Sequence, residues 1–305
     1  MAQNSKIEWT EATWNPLRAR HKATGKLGWH CTHVSEGCRN CYAERMNAWR
    51  GTGLPFKPGH AGDIDLYLDE KILLQPLSWR KPRMIFPCSM TDLFGEWVSD
   101  EMIDKIFAVM ALTPRHTYQI ATKRPARMRA YMTHDDGYGR WGFIEHQARK
   151  IAAIPRGITL AHYGGSNLPN VWLGVSCEDQ ATADQRIPDL LATPAAIRWI
   201  SAEPLLGPIQ FDDLCDGHKF IDALRGNWWH DNPHGSNRIS RGHNKLDWIV
   251  VGGESGPGAR PMHPDWVRDL RDQCAAAGVP FFMKQMDKKQ PIPTDLLIRE
   301  MPHAR

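Results

Sequence analysis

The stretch Val171-Trp172-Leu173-Gly174-Val175 contains no polar side chain except the indole N–H, and it decides the fold class of the chain. A strand with one face in water alternates apolar and polar residues, whereas a strand covered on both faces is apolar throughout. Five further short runs of mainly apolar residues occur along the chain, at 84–88, 118–122, 197–201, 248–251 and 280–283. Together these runs predict a buried parallel sheet or barrel.

Helical patterns lie between these runs, as the crossover connections of a parallel sheet require. Apolar residues recur at helical spacing over 100–112, directly after Ser99, which can cap the helix start. A second pattern over 264–277 ends at Gly278, and residues 42–50 have high helix propensity. The alternation of strands and helices predicts an α/β fold.

Two long segments interrupt this alternation, at 134–170 and 211–246, and the second is rich in His, Asn, Arg and Trp. Long connections in a compact α/β protein are usually binding loops or disordered segments. We expect both insertions to face the substrate. Because barrel-type folds often exceed about 200 residues as one unit, the chain is predicted to form a single domain over 1–305 that carries these insertions.

Composition indicates a soluble globular protein, with 42% hydrophobic and 24% charged residues. No stretch approaches the roughly 20 apolar residues that a membrane-spanning helix needs. The N-terminus has no apolar segment typical of a secretion signal. We therefore expect no membrane partner and a cytoplasmic location.

The charge of the chain does not by itself identify a nucleic-acid-binding protein, because the net charge is +4 and the pI is near 8.7. Residues 115–129 include five basic side chains and no acidic one, which is compatible with a positive face or with an ordinary solvated helix surface. Trp228 and Trp229 lie in polar sequence, where they can stack on a base or simply pack. These alternatives stay open.

Polar residues follow almost every predicted strand. In parallel α/β folds the active site lies at the carboxyl ends of the strands, which predicts that these residues converge on one cleft. A buried carboxylate needs a partner or a ligand, and a structural ion pair satisfies that need as well as a ligand does. A dinucleotide-binding fold is disfavoured, because the glycine pair lacks the GxGxxG spacing. The candidate residues are Ser89, Asp92, Lys123, Ser176, Glu178, Glu203, Gly252, Gly253 and Glu254.

Three cysteines lie within eleven residues near the N-terminus, in the segment from Cys31 through Cys38 to Cys41. Three thiolates match an iron–sulfur cluster that leaves one iron open for chemistry. A Cys₃His zinc site is an equal alternative, since His30 and His33 lie beside the first cysteine and thiolates suit both metals.

A structural disulfide is disfavoured, because no secretion signal routes the chain to an oxidising compartment. The other four cysteines are scattered singly along the chain and are predicted to be ordinary buried thiols. They are Cys88, Cys177, Cys215 and Cys274, the last on a predicted helix.

Several motifs occur along the chain, namely Ile7-Glu8-Trp9-Thr10 with Trp14-Asn15-Pro16, the cysteine segment with Tyr42-Ala43-Glu44-Arg45, Thr122-Lys123-Arg124-Pro125, Trp172-Leu173-Gly174-Val175-Ser176, Ser201-Ala202-Glu203-Pro204-Leu205, and Gly252-Gly253-Glu254-Ser255-Gly256. Together these motifs resemble the phage-encoded three-cysteine family related to radical SAM enzymes, nearly from end to end of the chain. The resemblance implies a partial (β/α)6 barrel whose cluster loop follows the first strand. The cysteine spacing here is C-x6-C-x2-C rather than the usual C-x3-C-x2-C, so the loop path must differ.

The resemblance also implies cofactors, namely a [4Fe–4S] cluster on Cys31, Cys38 and Cys41 and S-adenosylmethionine (SAM) on the fourth iron. One electron, from a donor such as flavodoxin, would cleave SAM to a 5′-deoxyadenosyl radical that removes hydrogen from a substrate. By position, the expected SAM contacts are Tyr42 near the adenine, Ser89 or Asp92 near the amine, Lys123 near the carboxylate, and Ser176, Glu178 or Glu203 near the ribose.

Relatives of this kind occur in phages whose thymine bases are hypermodified, which implies a location in the host cytoplasm. We therefore expect the substrate to be DNA or a thymine nucleotide that carries an amino-acid modification, and the reaction to be an isomerisation from an N-linked to a C-linked form. Residues 115–129 and the insertion 211–246 would hold the polynucleotide. Two alternatives remain, a radical lyase for DNA lesions, similar to spore photoproduct lyase, and a zinc-binding nucleic-acid adaptor without catalysis.

Overall fold

The computed structural model of the protein describes residues 5–134, 139–153, 167–217, 219–230 and 239–302. Contacts divide the chain into two compact units. The first unit comprises Met1–Trp172 with Pro194–Ala196, and the second comprises Leu173–Thr193 with Ile197–Arg305. The single domain over 1–305 stays a prediction.

The first unit contains the cysteine segment and the first half of the strands. Its strands are β1 (Ala12–Trp14), β2 (Leu17–His21), β3 (Leu27–Gly28), β4 (Ile64–Leu68), β5 (Met84–Pro87) and β6 (Thr117–Thr122). Its helices are α1 (Tyr42–Arg50), α2 (Glu70–Leu73), α3 (Gln75–Ser78), α4 (Asp100–Leu112), α5 (Pro125–Met132) and α6 (Gly139–Ile151).

The second unit contains the remaining strands, although its first strand begins two residues before the unit does. Its strands are β7 (Val171–Ser176), β8 (Ile197–Ala202), β9 (Leu214–Cys215), β10 (Phe220–Asp222), β11 (Asn227–Trp229), β12 (Trp248–Gly252) and β13 (Phe281–Gln285). Its helices are α7 (Gln180–Ala192) and α8 (Pro264–Ala277).

The main sheet has seven strands in the order β1-β5-β6-β7-β8-β12-β13. In the first unit β5 pairs in parallel with β1 and β6, and in the second unit β12 pairs in parallel with β8 and β13. Every residue of β7 and β12 is buried, which is why these strands are apolar throughout. The α/β fold is confirmed, whereas a partial barrel of the radical SAM type stays a prediction.

Each unit also has a small antiparallel sheet, in the orders β3-β2-β4 and β11-β10-β9. The six predicted apolar runs are all strands of the main sheet, and its first strand, Ala12–Trp14, is a further strand that the sequence did not reveal. Three residues are too few to show a periodic pattern.

The predicted helices are confirmed with the expected bounds at Tyr42–Arg50, Asp100–Leu112 and Pro264–Ala277. The Ser99 side chain accepts a hydrogen bond from the Met102 N–H, as an N-cap does. Gly278 ends its helix with a φ of +64°, a left-handed conformation that favours glycine. Among the described residues no helix has both the length and the apolar composition needed to cross a membrane.

The two insertions hold regular structure rather than the irregular loops that the sequence suggested. The first contains α6, whose Arg140 Nη2 lies 2.9 Å from Asp104 Oδ2 on α4. The second contains the small sheet of β9, β10 and β11. The strands of the second insertion have two or three residues each and carry almost no pattern in sequence, which explains why they were not predicted. Residues 135–138, 154–166, 218 and 231–238 of these insertions lie outside the described part of the chain.

Candidate functional site

The cysteine segment forms a tight, partly buried turn at the start of α1. Cys31, Cys38 and Cys41 are unpaired and only partly exposed, and Cys41 is the N-cap residue of α1. The Cys38 N–H bonds to the Ser35 carbonyl at 3.0 Å, and the Cys41 N–H bonds to the Cys38 carbonyl at 3.2 Å. These successive turns keep the second and third cysteines close together.

Two side chains of α1 fix this segment to the rest of the first unit. Glu44 pairs with His33, with Oε2 to Nε2 at 2.8 Å, and its other oxygen accepts the Phe56 N–H at 2.9 Å. Asn47 is fully buried and accepts the Trp29 N–H at 2.9 Å. Cys31 and Cys41 pack against an apolar cluster of Ala43, Phe56 and Met90. The loop is therefore anchored on both sides of its first cysteine.

The histidines beside the first cysteine have different surroundings. His33 Nε2 pairs with Glu44, and a carboxylate in this position is typical of a histidine that binds a metal through its other ring nitrogen. His30 is buried, its ring lies 4.9 Å from the Trp97 ring, and its Nε2 has no hydrogen-bond partner among the described residues. Burial, followed by the charges of His60 and Arg124, lowers the pKa of His30. The neutral ring is favoured there.

The thiols interact with one another through their charges. Burial is the main cause that raises the pKa of Cys31; Asp92, Cys41 and Cys38 add to it and Arg124 opposes it. Burial likewise raises the pKa of Cys41, while the backbone N–H groups of Glu44 and Ala43 at the start of α1 act in the opposite direction. Burial thus disfavours the thiolate forms of Cys31 and Cys41. A bound metal cation would have the opposite effect, because a metal deprotonates the thiols that coordinate it.

The chemistry of the donor set fits an iron–sulfur cluster, although the side chains are not arranged around a metal. Among the described residues no group of three or more His, Cys, Asp or Glu side chains could hold a metal ion as it stands. Cys31, Cys38 and Cys41 supply three soft sulfur ligands on one anchored loop, which is the set that such a cluster with an open iron requires. The sulfurs would have to draw together as the cluster binds.

Arg124 connects the end of β6 to the cysteine loop. It is buried, and its Nη2 donates to the Thr32 side-chain and backbone oxygens at 2.7 and 3.1 Å, next to Cys31. Its Nη1 lies 3.1 Å from Asp92 Oδ2, its Nε bonds to Glu96, and its guanidinium lies 4.6 Å from the centre of the Trp97 ring. Burial acts to lower the pKa of Arg124, but Asp92, Cys31 and Glu96 outweigh it and raise that pKa.

Asp92, predicted to lie near the SAM amine, has both oxygens occupied by protein donors. Its Oδ1 accepts from the Thr122 hydroxyl at 2.7 Å and the Phe94 N–H at 3.0 Å. Its Oδ2 accepts from the Lys123 N–H at 3.0 Å and from Arg124 at 3.1 Å. Four bonds use the roughly four acceptor positions of a carboxylate. A ligand amine would have to displace one of them.

Tyr42 and Ser89, two other predicted SAM contacts, lie together. The Tyr42 hydroxyl donates to the Ser89 carbonyl, and Tyr42 is 48% exposed. The Ser89 hydroxyl accepts a bond from Asn15 Nδ2 at 3.0 Å. Lys123 is half-buried, and its backbone joins the Asp92 network. In the first unit the structure therefore brings Asp92 to Lys123 and Tyr42 to Ser89.

In the second unit, Glu178 and Ser176 join β7 to α7. Glu178 is 1% exposed, and its Oε2 lies 3.0 Å from Nη1 of Arg186, which is 3% exposed. The same Nη1 donates to the Ser176 carbonyl at 2.7 Å. This pair satisfies the buried carboxylate within the protein, which is the structural alternative that the sequence left open.

Glu203 lies among the ends of β8, β12 and β13. Its Oε2 accepts from the Ser201 hydroxyl at 3.1 Å, and its Oε1 lies 2.6 Å from Lys284 Nζ. A Cβ on Gly252 would meet Glu203 Oε1 at 2.6 Å, and a Cβ on Gly253 would meet the Asp287 backbone nitrogen at 2.5 Å. The glycine pair therefore makes room for the protein's own groups.

Glu254 is paired with Arg260. Its Oε2 accepts the Arg260 N–H at 2.8 Å, and its Oε1 lies against the guanidinium of the same arginine. Its backbone carbonyl accepts the Lys288 N–H at 2.7 Å. These bonds tie the loop after β12 to the turn after β13.

Sequence reasoning missed the role of Arg124, which it placed in a basic stretch. That stretch is no free positive face, since Arg124 is buried with Asp92, and Arg127 pairs with Asp100. An arginine directly after an apolar strand was the available signal, equivalent to the carboxylates at the other strand ends. Cys215 is exposed, so its prediction as a buried thiol was wrong, while Cys88, Cys177 and Cys274 are buried as predicted.

Comparison with known proteins gives a single family. Residues 4–295 match a family described as a protein of unknown function, DUF5131. No curated protein and no solved structure matches the chain significantly. The family match includes the cysteine segment and every strand of the main sheet, and it spans far more than half of the 305 residues. The chain therefore belongs to the DUF5131 family.

Proposed function

We propose that this protein is a radical SAM enzyme whose cluster loop is the segment from Cys31 to Cys41. The supporting observation is a set of three reduced thiols on one anchored loop, close enough for their charges to interact, beside a buried arginine. A purely structural loop has no need of three reduced thiols within eleven residues. Sulfur ligands in this number leave a cluster with an open iron.

Cys31, Cys38 and Cys41 would hold a [4Fe–4S] cluster. When bound, the cluster would supply the electron, received from a donor such as flavodoxin, for reductive cleavage of SAM to a 5′-deoxyadenosyl radical. The chain's own residues would position the cysteine loop. Arg124 holds the loop at Thr32 and is itself held by Asp92, while Tyr42 offers an exposed ring at the first turn after Cys41.

The proposed substrate is an amino-acid-modified thymine in DNA, and the proposed reaction is its isomerisation during DNA hypermodification. The support is the resemblance carried by the sequence motifs, together with aromatic and cationic side chains in the second unit that suit a nucleic acid. Ser176, Glu178, Glu203, Gly252, Gly253 and Glu254 remain proposed cofactor contacts, although the carboxylates of Glu178 and Glu254 are already paired with arginines.

Anaerobic reconstitution with iron and sulfide tests the cluster. We expect about four iron atoms per chain, as a [4Fe–4S] cluster requires, and 5′-deoxyadenosine after addition of SAM and a reductant. Replacing Cys31, Cys38 or Cys41 by serine should abolish both, whereas Cys215→Ser, at an exposed cysteine outside the loop, should change neither. Protein that binds about one zinc per chain and no iron would favour the adaptor without catalysis and contradict the proposal.

The substrate needs a separate experiment. The reconstituted enzyme is incubated with hypermodified phage DNA, SAM and reductant, and the nucleosides are analysed by mass spectrometry and chromatography. An isomerisation changes the retention of a thymine nucleoside and leaves its mass unchanged. Conversion of thymine dimers instead would favour the lesion lyase, and no change in any of these DNAs would remove DNA modification as the function.

A further inference from the structure

We infer that a cavity between α7 and the small sheet of the second unit binds a single nucleotide of a DNA strand, with the base against Trp228 and the phosphate at Lys219. The inference rests on the proposed function for its choice of DNA, but it concerns a site that contains none of the cysteine-loop residues. The cavity has a volume of about 260 Å³.

The register of the small sheet determines which side chains face the cavity. Ile221 on β10 pairs with Trp228 on β11, and both line the cavity. The neighbouring pair, Phe220 and Trp229, does not line it; their rings are stacked 5.9 Å apart with an interplanar angle of 14°. Successive side chains of a strand point to opposite faces. The two adjacent tryptophans are therefore on different sides, and only Trp228 is available to a ligand in the cavity.

Trp228 and its neighbours form an aromatic wall with a cation beside it. The His243 ring lies 5.7 Å from the Trp228 ring, and Ser240 holds His243 Nε2 at 2.8 Å. Lys219 Nζ lies 5.2 Å from the centre of the Trp228 ring. Within the described part of the chain the acidic partner of Lys219 is Asp216, whose Oδ2 is 3.9 Å from Lys219 Nζ, at the limit of an ion pair. The ammonium group can therefore serve an anionic ligand.

A further part of the lining is apolar and comes from the end of α7. Leu191 and Ala192 line the cavity there, and Asn244 Nδ2 is fixed by the Leu191 carbonyl at 2.8 Å. Apolar side chains from α7 together with the Trp228 indole suit a planar ring. The volume lies just below the roughly 300 Å³ at which most ligand sites begin, which suits one base rather than two.

A planar ring with an adjoining negative charge is the chemistry of one nucleotide. Stacking of a base on an aromatic side chain tolerates any base, because every base has a π-face. One lysine that meets a phosphate adds affinity that salt weakens. The cavity is thus expected to hold single-stranded DNA by one base and one phosphate, without strong sequence preference.

The test measures binding of a fluorescein-labelled oligothymidine to the full chain by anisotropy, over a range of salt concentrations. Trp228→Ala should weaken binding about tenfold or more, as expected for loss of one stacked base. Trp229→Ala, the matched control on the other face, should leave affinity within about twofold of the wild type. Lys219→Gln should lower the slope of log affinity against log salt by about one unit.

Equal weakening by both tryptophan variants, or none by Trp228→Ala, would overturn the inference. An unchanged salt slope in Lys219→Gln would overturn its phosphate part, and this surface variant is informative even if Trp228→Ala does not fold. Repeating the measurement with Cys31→Ser separates the two proposals. Binding that survives this change while 5′-deoxyadenosine is lost supports the nucleotide site independently of the cluster.

Discussion

Two buried arginine–carboxylate pairs follow strands of the main sheet, one in each unit, and they serve different purposes. Arg186 and Glu178 are 3% and 1% exposed, and the remaining bond of Arg186 returns to the Ser176 carbonyl on the same strand end. Arg124 and Asp92 are almost as buried, but Arg124 extends to Thr32, beside Cys31. The first pair locks a strand to the helix that follows it, and the second reaches a loop 92 residues away in sequence.

This difference teaches that a carboxylate at a strand end is not by itself a sign of a binding site. Glu178 and Glu254 are satisfied by arginines eight and six residues further along the chain. Asp92 is equally satisfied, yet its arginine contacts the loop that holds the candidate cluster ligands. The pair beside the candidate cluster ligands differs in where the remaining N–H donors of its arginine bond.

The largest effect is expected from Arg186→Leu. It leaves Glu178 buried without its cation, which typically costs about 3–5 kcal/mol. Urea unfolding followed by circular dichroism measures the free energy of unfolding. The double variant Arg186→Leu with Glu178→Leu should recover most of that loss, because an apolar pair needs no partner. A cost below about 1 kcal/mol for the single variant would show that the pair is more hydrated than its burial indicates.

Arg124→Leu should cost about 3 kcal/mol, because Asp92 keeps three of its four donors. Unlike the change at Arg186, it should also weaken retention of iron by about tenfold, as removal of a group that orients metal ligands often does. The rate of iron loss to a chelator from reconstituted protein measures this. Arg124→Lys keeps the positive charge and tests the geometry of the guanidinium group, because a single ammonium group cannot bond to Asp92, Glu96 and Thr32 together.

If folded Arg186→Leu loses iron as fast as Arg124→Leu, the proposed difference between the two pairs is wrong. If neither variant affects iron retention, Arg124 has a structural role only, and the comparison then reduces to two ion pairs of the same kind.

The sequence revealed most of the main sheet and little of the network around the cysteines. Strands such as β7 and β12 are buried on both faces, so burial itself produces their continuous apolar runs. The bonds from Arg124 to Thr32 join residues that are far apart in the chain, and no local pattern encodes such a contact. The sequence predicted that a buried Glu178 needs a partner. It could not identify Arg186 as that partner, because this depends on how α7 packs after β7.

Short strands were the other feature that the sequence did not predict. The strand Ala12–Trp14 and the strands β9, β10 and β11 have two or three residues each, too few for an alternation to be recognised. The consequence for function is direct, since β10 and β11 form one wall of the proposed nucleotide site. The tryptophans there were noticed in the sequence, but only the strand register separates Trp228 from Trp229.

Glu254→Gln tests a further strand-end pair of the second unit, Glu254 with Arg260, and should have a smaller effect. The pair is less buried, since Arg260 is 21% exposed, and a glutamine still accepts the Arg260 backbone N–H. Loss of the charge should cost about 1.5 kcal/mol in unfolding free energy, the low end for hydrogen bonds to charged groups. A cost as large as that of Arg186→Leu would mean that depth of burial does not set the strength of these pairs.

The smallest effects are expected at the N-cap residues of α7 and α4, Asp179 and Ser99. Asp179 accepts the Thr182 N–H at 2.9 Å, and the Thr182 hydroxyl accepts the Asp179 N–H at 3.1 Å, so α7 begins with a reciprocal capping box. Ser99 accepts the Met102 N–H at 3.4 Å only, at an exposed position.

Asp179→Ala should therefore cost about 1 kcal/mol and Ser99→Ala about 0.5 kcal/mol. Thermal unfolding of both variants beside the wild type gives the order. The reverse order would mean that the Arg186–Glu178 pair already fixes the start of α7, so that its cap is redundant. In that case the ion pair after β7 would be the main support of this helix start, and Asp179→Ala should become costly once Arg186 is replaced by leucine.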